Sequence, residues 1–360
     1  MSYHLANKLA KEGQDVVFIS KVPYYEQPQE VLVNGHKIIL TSWPSKVKNS
    51  SLKDIIWFIK LFRKFSPHTV LGHYNGGLVS IILSKILSFG KVLTIDHHHT
   101  CSEGFILDKG KLDTKLKIFF LRRRLYYQLF CDYVICPSEY ALDDLRNFFK
   151  YKNGKTIPHA LSDRFVPQTK LVRDFEGEIK LCYLGRLDKG KNVALLLNSI
   201  KTHHQNYPES KITVHIAGFS LEPDQATLNE IEVPYIRFSG RLKYENIDEF
   251  FQSHDCCIIP SKSDSFNLVA IESLMNDTPI IITTKCGVTD FLEDSVDCFM
   301  VKPDEDSLRE ILEKIEKDPE SLKRLDSRKA FLSKFEMEIY LQNFENFFKS
   351  INVLNQGLKK

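Results

Sequence analysis

At 360 residues, 43% hydrophobic and 26% charged, the sequence has the makeup of a soluble globular protein and the length of two domains. Its net charge is only +3, yet residues 1–170 carry 25 Lys/Arg against 14 Asp/Glu, while residues 171–360 carry 24 against 32. A basic half joined to an acidic half implies two domains with different partners, and nucleic acid is not expected among them.

The chain opens on an amphipathic helix, SYHLANKLAKEGQ, which lacks the apolar centre of a signal peptide. A doubly wound domain ordinarily begins with a strand and a glycine-rich turn. Either that first strand is missing, or Met1 is an internal methionine, the option we favour. In the first half DVVFIS, KIILTS, TVLGHY, KVLTID and DYVICPS read as strands, with helices such as SLKDIIWFIKLFRKF and LKIFFLRRRLYYQLF between them. The longest apolar stretch, GLVSIILSKILSFGKVLTI, is broken by Lys85, Gly90 and Lys91, so it reads as helix, turn and strand, not a membrane span. RFVPQTKLVRDFEGE has no periodicity and reads as a linker. The second half resumes the rhythm with IKLCYLGR, KITVHIAG, IRFSGR, DCCIIPS, PIIITT and CFMVKP.

Such alternation predicts an α/β protein of two Rossmann-like domains, their parallel sheets facing across a cleft. The boundaries expected are 1–165, a linker at 166–178, 179–330, and helices over 331–360 packing back on the first domain. Parallel sheets bind ligands beyond the carboxyl ends of their strands, so chemistry is sought there. The eight cysteines contain no Cys-x-x-Cys pair, a spacing that suits buried thiols in the reducing cytoplasm. Cys256 and Cys257 are neighbours on a strand and should face opposite sides of a core.

Two strand–loop–helix units carry the chemistry. In CCIIPSKSDSFNLVAIESL a helix beginning near Ser265 would point unpaired N–H groups and its positive dipole end into the cleft, a site for phosphate. On these residues alone, Asp264 or Ser265 is equally well a helix cap and Glu272 a solvated residue. In LCYLGRLDKGKNVALLL, Arg186 follows the strand and Lys191 opens the helix, two cations able to converge on one diphosphate or merely to line a loop. Gly185 to Asn192 nearly spells a P-loop, but Asn192 lacks the hydroxyl that would hold magnesium.

The order GRLDKGKN, VHIAGFS, IRFSGRL and CCIIPSKSDSFNLVAIESLMNDTPIIITTKCG resembles the donor domain of the family 4 (group 1) glycosyltransferases, which have the GT-B fold. Weaker matches follow in order over HLANKLAKEGQDVVFIS, CDYVICPSEYALDDL and IPHALSDRF. The resemblance implies that Arg186 and Lys191 bind the diphosphate of a nucleotide sugar. It places Glu272 at the ribose and Asp264 at a hydroxyl of the transferred sugar. Backbone N–H groups around Phe266, Asn267 and Leu268 would face the phosphates, with Gly240 and Arg241 near the base. Asp264 stands where the family has Glu, Asn267 where it has Gly, and Gly218–Ser220 where it has Gly-Asp-Gly, departures that bear on which donor is used.

In LTIDHHHTCSEGF the family shows one histidine, and Asp96 takes that spot. Of the three that follow, His97 is expected at the sugar or as a proton shuttle, with His98 second. A metal held by the three histidines with Cys101 and Glu103 is disfavoured, because neighbouring strand residues alternate faces. The basic stretch KLDTKLKIFFLRRRLYYQLF either covers the sheet or meets an anionic bilayer.

The expected activity is retaining, metal-independent transfer from a UDP- or GDP-linked sugar to a glycan or lipid-linked acceptor, with no cofactor, in the cytoplasm or peripherally on its membrane. The alternatives are a non-catalytic binder of nucleotide sugars or of a partner enzyme, and a P-loop hydrolase.

Overall fold

The computed structural model describes residues 1–21, 28–45, 51–167, 175, 177–219 and 233–351. In the first half the strands are β1 (Val16–Ser20), β2 (Gln29–Val33), β3 (His36–Ser42), β4 (Thr69–Leu71), β5 (Leu93–His97), β6 (Tyr133–Cys136) and β7 (Gly154–Thr156). β4, β5, β6 and β7 form a parallel sheet in chain order, while β1 pairs parallel and β2 antiparallel with β3. The sequence reading omitted β2 and β7. β2 is joined to β3 through Asn34-Gly35, both with positive φ, the backbone that a tight hairpin requires.

Among the described strands β1 and β4 each pair on one side only, so the sheet of this half comes in two pieces. The helix Ser2–Lys11 bridges them: Ala10 packs with Ile38 and Leu40, and Leu5 with Ile95 and Ile135.

The second half is one parallel sheet of β8 (Ile179–Arg186), β9 (Ile212–Phe219), β10 (Ile236–Gly240), β11 (Cys256–Ile259), β12 (Ile280–Thr283) and β13 (Phe299–Val301). Its order is β10-β9-β8-β11-β12-β13. β11 and β12 are buried at every residue because helices cover both faces, which is why they read as unbroken apolar runs. The helices Val193–Asn206 and Glu305–Lys317 close one face, and Leu268–Met275 and Ser327–Lys334 the other. Cys256 enters the first core and Cys257 the second. All eight cysteines are buried.

The return to the first domain begins later than position 331. Phe331 and Phe335 are sealed in the second domain with Phe266, and the crossing follows, where Leu161 N–H donates to Phe335 O at 3.0 Å. Met337–Ser350 then packs Tyr340, Phe344 and Phe347 against Ile95 and Ile135. Most of the linker expected at 166–178 and the end beyond 351 lie outside the described residues. Among those described, no helix is long and apolar enough to cross a membrane.

Candidate active site

In the second sheet β8 comes first in the chain; the chain then steps outward to β9 and β10, and returns to β11 on the other side. Loops leaving the carboxyl ends of β8 and β11 therefore diverge to opposite faces and leave a crevice between them. The two motif segments are these two loops. Asn192 donates its side-chain amide to Pro260 O at 3.1 Å, and Lys262 N–H donates to Gly190 O at 2.9 Å, so they are tied edge to edge. Asn192 itself is left-handed (φ 57°) at the cap of Val193–Asn206.

Across this crevice the Lys191 ammonium is paired with the Asp264 carboxylate. Asp264 also accepts from Phe266 N–H at 3.2 Å and from the Asn267 amide at 3.0 Å. Its backbone is pinned to the loop after β12, donating to Lys285 O and accepting from Gly287 N–H. Arg186 pairs with Asp188 at 3.1 Å, while the other oxygen of Asp188 accepts Lys191 N–H at 2.9 Å. Asp188, which the motif reading passed over, thus pairs with the Arg186 guanidinium and holds the Lys191 backbone. The guanidinium of Arg186 stays half exposed at the rim.

The helix begins at Leu268, not near Ser265, and its cap is Asn267. Asn267 has φ 84°, a conformation that glycine adopts freely and asparagine tolerates, and its side-chain oxygen accepts Ala270 N–H at 3.1 Å. Ser265 instead faces the first domain, donating its hydroxyl to His99 O at 2.5 Å. Phe266 is buried.

Glu272 lies one turn below the exposed Leu268, on the same helix face. Burial raises its pKa from 4.5 to about 7, opposed by the Arg164 cation and reinforced by Asp248. Gly240, with φ 68°, ends the edge strand β10 after a register shift. The Arg241 guanidinium next to it lies 5.0 Å from the Phe219 ring, and Phe219 pairs with Arg186 in the sheet. Gly240, Arg241, Phe219 and Arg186 therefore share one rim. Strand-end packing is close here: a Cβ on Gly218 would fall 1.8 Å from Gly185 O.

The first domain closes over these loops. Ser138 donates to Ser265 O at 2.6 Å, Tyr140 N–H donates to Asp290 at 2.9 Å, and the Tyr140 and Ser263 hydroxyls are 3.0 Å apart. A Cβ on Gly287 would strike Ser138 and Ser265 O, so the approach needs glycine there. Asp108 reaches the Gly190 loop; burial and then Asp188 raise its pKa.

Two family profiles match the chain: "Glycosyltransferase Family 4" over residues 1–161 and "Glycosyl transferases group 1" over residues 169–330. The chain belongs to the group 1, family 4 glycosyltransferases. It is 26% identical over 229 residues to mannosylfructose-phosphate synthase of Agrobacterium fabrum, covering 55% of this chain and 50% of that protein. It is 24% identical to alpha-monoglucosyldiacylglycerol synthase of Streptococcus pneumoniae, covering 75% and 62%. The chain thus spans half to two thirds of these relatives. Sucrose-phosphate synthase from Thermosynechococcus elongatus has the same GT-B fold, with TM-score 0.76 at 16% identity, covering 98% of this chain and 92% of that one. The Anabaena HepE protein in complex with UDP and glucose superposes with TM-score 0.67 at 14% identity, covering 88% and 87%.

In this family 4 chain the three histidines divide between faces. The His97 ring is buried, with Nδ1 3.0 Å from Gly72 O, and stacks on His73 with centroids 3.8 Å apart. His99 stacks between His97 and His159, and His159 meets Phe266. Burial holds all four neutral, with the His73 and His159 pKa values near 4. His98 points the other way, bonded to Tyr127 OH and Asp144 at 3.0 Å each inside the first domain. The structure therefore brings Arg186, Lys191, Asp264, Asn267 and Leu268 together, and does not bring His98 to them. Among the described residues His97 reaches them through the rings of His99 and His159.

Two groups among the described residues have metal-ligand types close together: His73, His97 and His99, and His98, Cys101 and Asp144. In each group one ligand atom per residue lies within 4.8 Å of the others. In the first, His97 Nδ1 is engaged by Gly72 O. In the second group both His98 nitrogens are engaged, Asp144 accepts from Ser102, and burial raises the Cys101 thiol pKa. Glu103 belongs to neither: it accepts Tyr140 OH at 2.5 Å.

Proposed function

We propose that this protein transfers a sugar with retention from a nucleoside diphosphate donor to a glycan or lipid-linked acceptor, without a metal. The observation that carries the reading is the Lys191–Asp264 pair at the crevice between β8 and β11, beside Arg186 and the first turn of Leu268–Met275. Departure of the diphosphate builds negative charge. Fixed cations and backbone donors placed there favour the transition state over the ground state.

Asn267 already caps Ala270 N–H, which leaves the Leu268 and Val269 N–H groups for phosphate oxygens. On donor arrival the Lys191 ammonium would turn to the diphosphate. Asp264 would then accept a sugar hydroxyl, and Glu272 the ribose hydroxyls. Gly240 and Arg241 would border the base, with the exposed Phe219 ring as a stacking surface. Contacts from Ser138 and Tyr140 would exclude water when donor and acceptor are aligned. UDP in the HepE structures supports a uridine donor, and the lipid product named for the pneumococcal synthase supports a lipid-linked acceptor.

The test is a panel of UDP- and GDP-sugars. One of them should yield free nucleoside diphosphate, and Arg186→Ala should slow that release at least tenfold, roughly 1.4 kcal/mol. Tight binding of a donor with no turnover on any acceptor class would favour the non-catalytic reading. Magnesium-dependent hydrolysis of plain ATP would favour a P-loop hydrolase.

A further inference from the structure

A helix on a soluble surface has one apolar face. The helix Thr114–Phe130 has two. Inward, Leu116, Phe120, Tyr126 and Tyr127 fill the first domain's core. Outward, Ile118, Leu121, Leu125 and Leu129 are between 44% and 66% exposed. Successive residues turn about 100°, which puts these four within about 80° of one another as a stripe along the helix. Arg122 and Lys115 run along one border of the stripe; Lys117 and Arg124 run along the other, and all four are exposed. From Lys109 to Arg124 there are seven cations (Lys109, Lys111, Lys115, Lys117, Arg122, Arg123, Arg124) and one acid, Asp113. Of these, Arg123 is turned inward over the Phe105, Tyr127 and Phe149 rings.

We propose that this outer face docks in the plane of an anionic bilayer. An apolar stripe between two basic borders matches that surface in both layers: acyl chains accept the leucines, and lipid phosphates meet cations whose stems lie along the apolar edge. A protein partner with an apolar patch would leave two parallel rows of like charge to be neutralised. The bilayer neutralises both along the whole helix. The location fits the site as well. Only residues 110–113 separate this helix from Ser102–Lys109, whose Asp108 reaches the Gly190 loop. Thr114 is thus within about 18 Å of chain from Lys109, and docking holds the cleft mouth at the lipid surface. The link to acceptor delivery rests on the transfer reading, whereas the docking surface itself does not.

The experiment is sedimentation of the full chain with phosphatidylcholine vesicles, with or without phosphatidylglycerol. Binding should appear with the anionic vesicles and fall steeply with salt. Leu121→Glu with Leu125→Glu should reduce bound protein at least tenfold, and so should Lys117→Ser with Arg124→Ser. Circular dichroism should stay unchanged, and so should nucleoside diphosphate release without vesicles. Sedimentation of both variants equal to that of the parent overturns the proposal. So does a parent protein that ignores anionic vesicles, or one whose stripe instead seals a dimer that the double Glu variant splits. Vesicle binding by a protein that turns over no donor would sink the transfer reading alone.

Discussion

The Lys191 ammonium lies against the Asp264 carboxylate, joining the loops that follow β8 and β11, neighbouring parallel strands from which the chain moves to opposite sides of the sheet. Each group holds the other ready without a ligand, and the pair marks where a leaving group and a sugar would part.

Lys191→Ala removes one of the two cations proposed to face the leaving group. Turnover of the accepted donor should fall at least tenfold, about 1.4 kcal/mol of lost transition-state stabilisation, with a smaller change in KM. Lys191→Arg should recover part of it. Steady-state kinetics showing an unaltered kcat in the alanine variant would remove Lys191 from the leaving-group site.

Asp264→Glu lengthens the acceptor arm by one methylene and disturbs its bonds to Lys191, Phe266 and Asn267. The ranking of sugars carried on one base should change, while the preference among bases should not. A competition assay with donors of a single base reads this directly. An unchanged ranking takes Asp264 off the sugar.

Glu272 titrates near 7 because burial penalises its charge. Between 4.5 and about 7 the folded protein holds a proton that the unfolded chain releases. The resulting loss of stability is absent at low pH, grows as pH rises through that window, and is complete above it, up to about 3 kcal/mol. Glu272→Gln should therefore raise the melting temperature at pH 8 relative to the parent, and much less at pH 5. Donor affinity should move the other way, weakening in the variant, because an amide oxygen accepts from hydroxyls more weakly than a carboxylate at the proposed ribose position. Calorimetry at the two pH values checks both; parallel melting curves would contradict the assignment.

Asn267 serves as cap and as left-handed residue at once. Asn267→Ala loses the bond to Ala270 N–H and places a less tolerant residue at positive φ, together about 2 kcal/mol. Asn267→Gly keeps the backbone and should cost well under half of that. Urea unfolding distinguishes them, and equal losses would mean that the backbone conformation contributes nothing.

The central strands β11 and β12 of the second domain were legible because they are buried on both faces, so each is a short apolar run bounded by a charged or turn residue. IKLCYLGR is β8 residue for residue. β2 escaped notice because it is an edge strand with exposed Gln29, Glu30 and Leu32, although Asn34-Gly35 announced its turn. The helix start was placed too early because Asp264 and Ser265 are ordinary capping residues. Their side chains are taken instead by Lys191 and by His99 O, contacts from 73 and 166 positions away.

Alternation of apolar runs and helical periods was enough to read two parallel-sheet domains, and the residues that follow β8 and β11 were enough to name Arg186, Lys191 and Asp264 of the crevice, though not Asp188. Those are local signals, carried by neighbours in the chain. Which histidine faces the second domain, where the final helix crosses and which side of the basic helix stays bare were decided only on packing. Each depends on partners far apart in sequence, whose meeting no local pattern encodes.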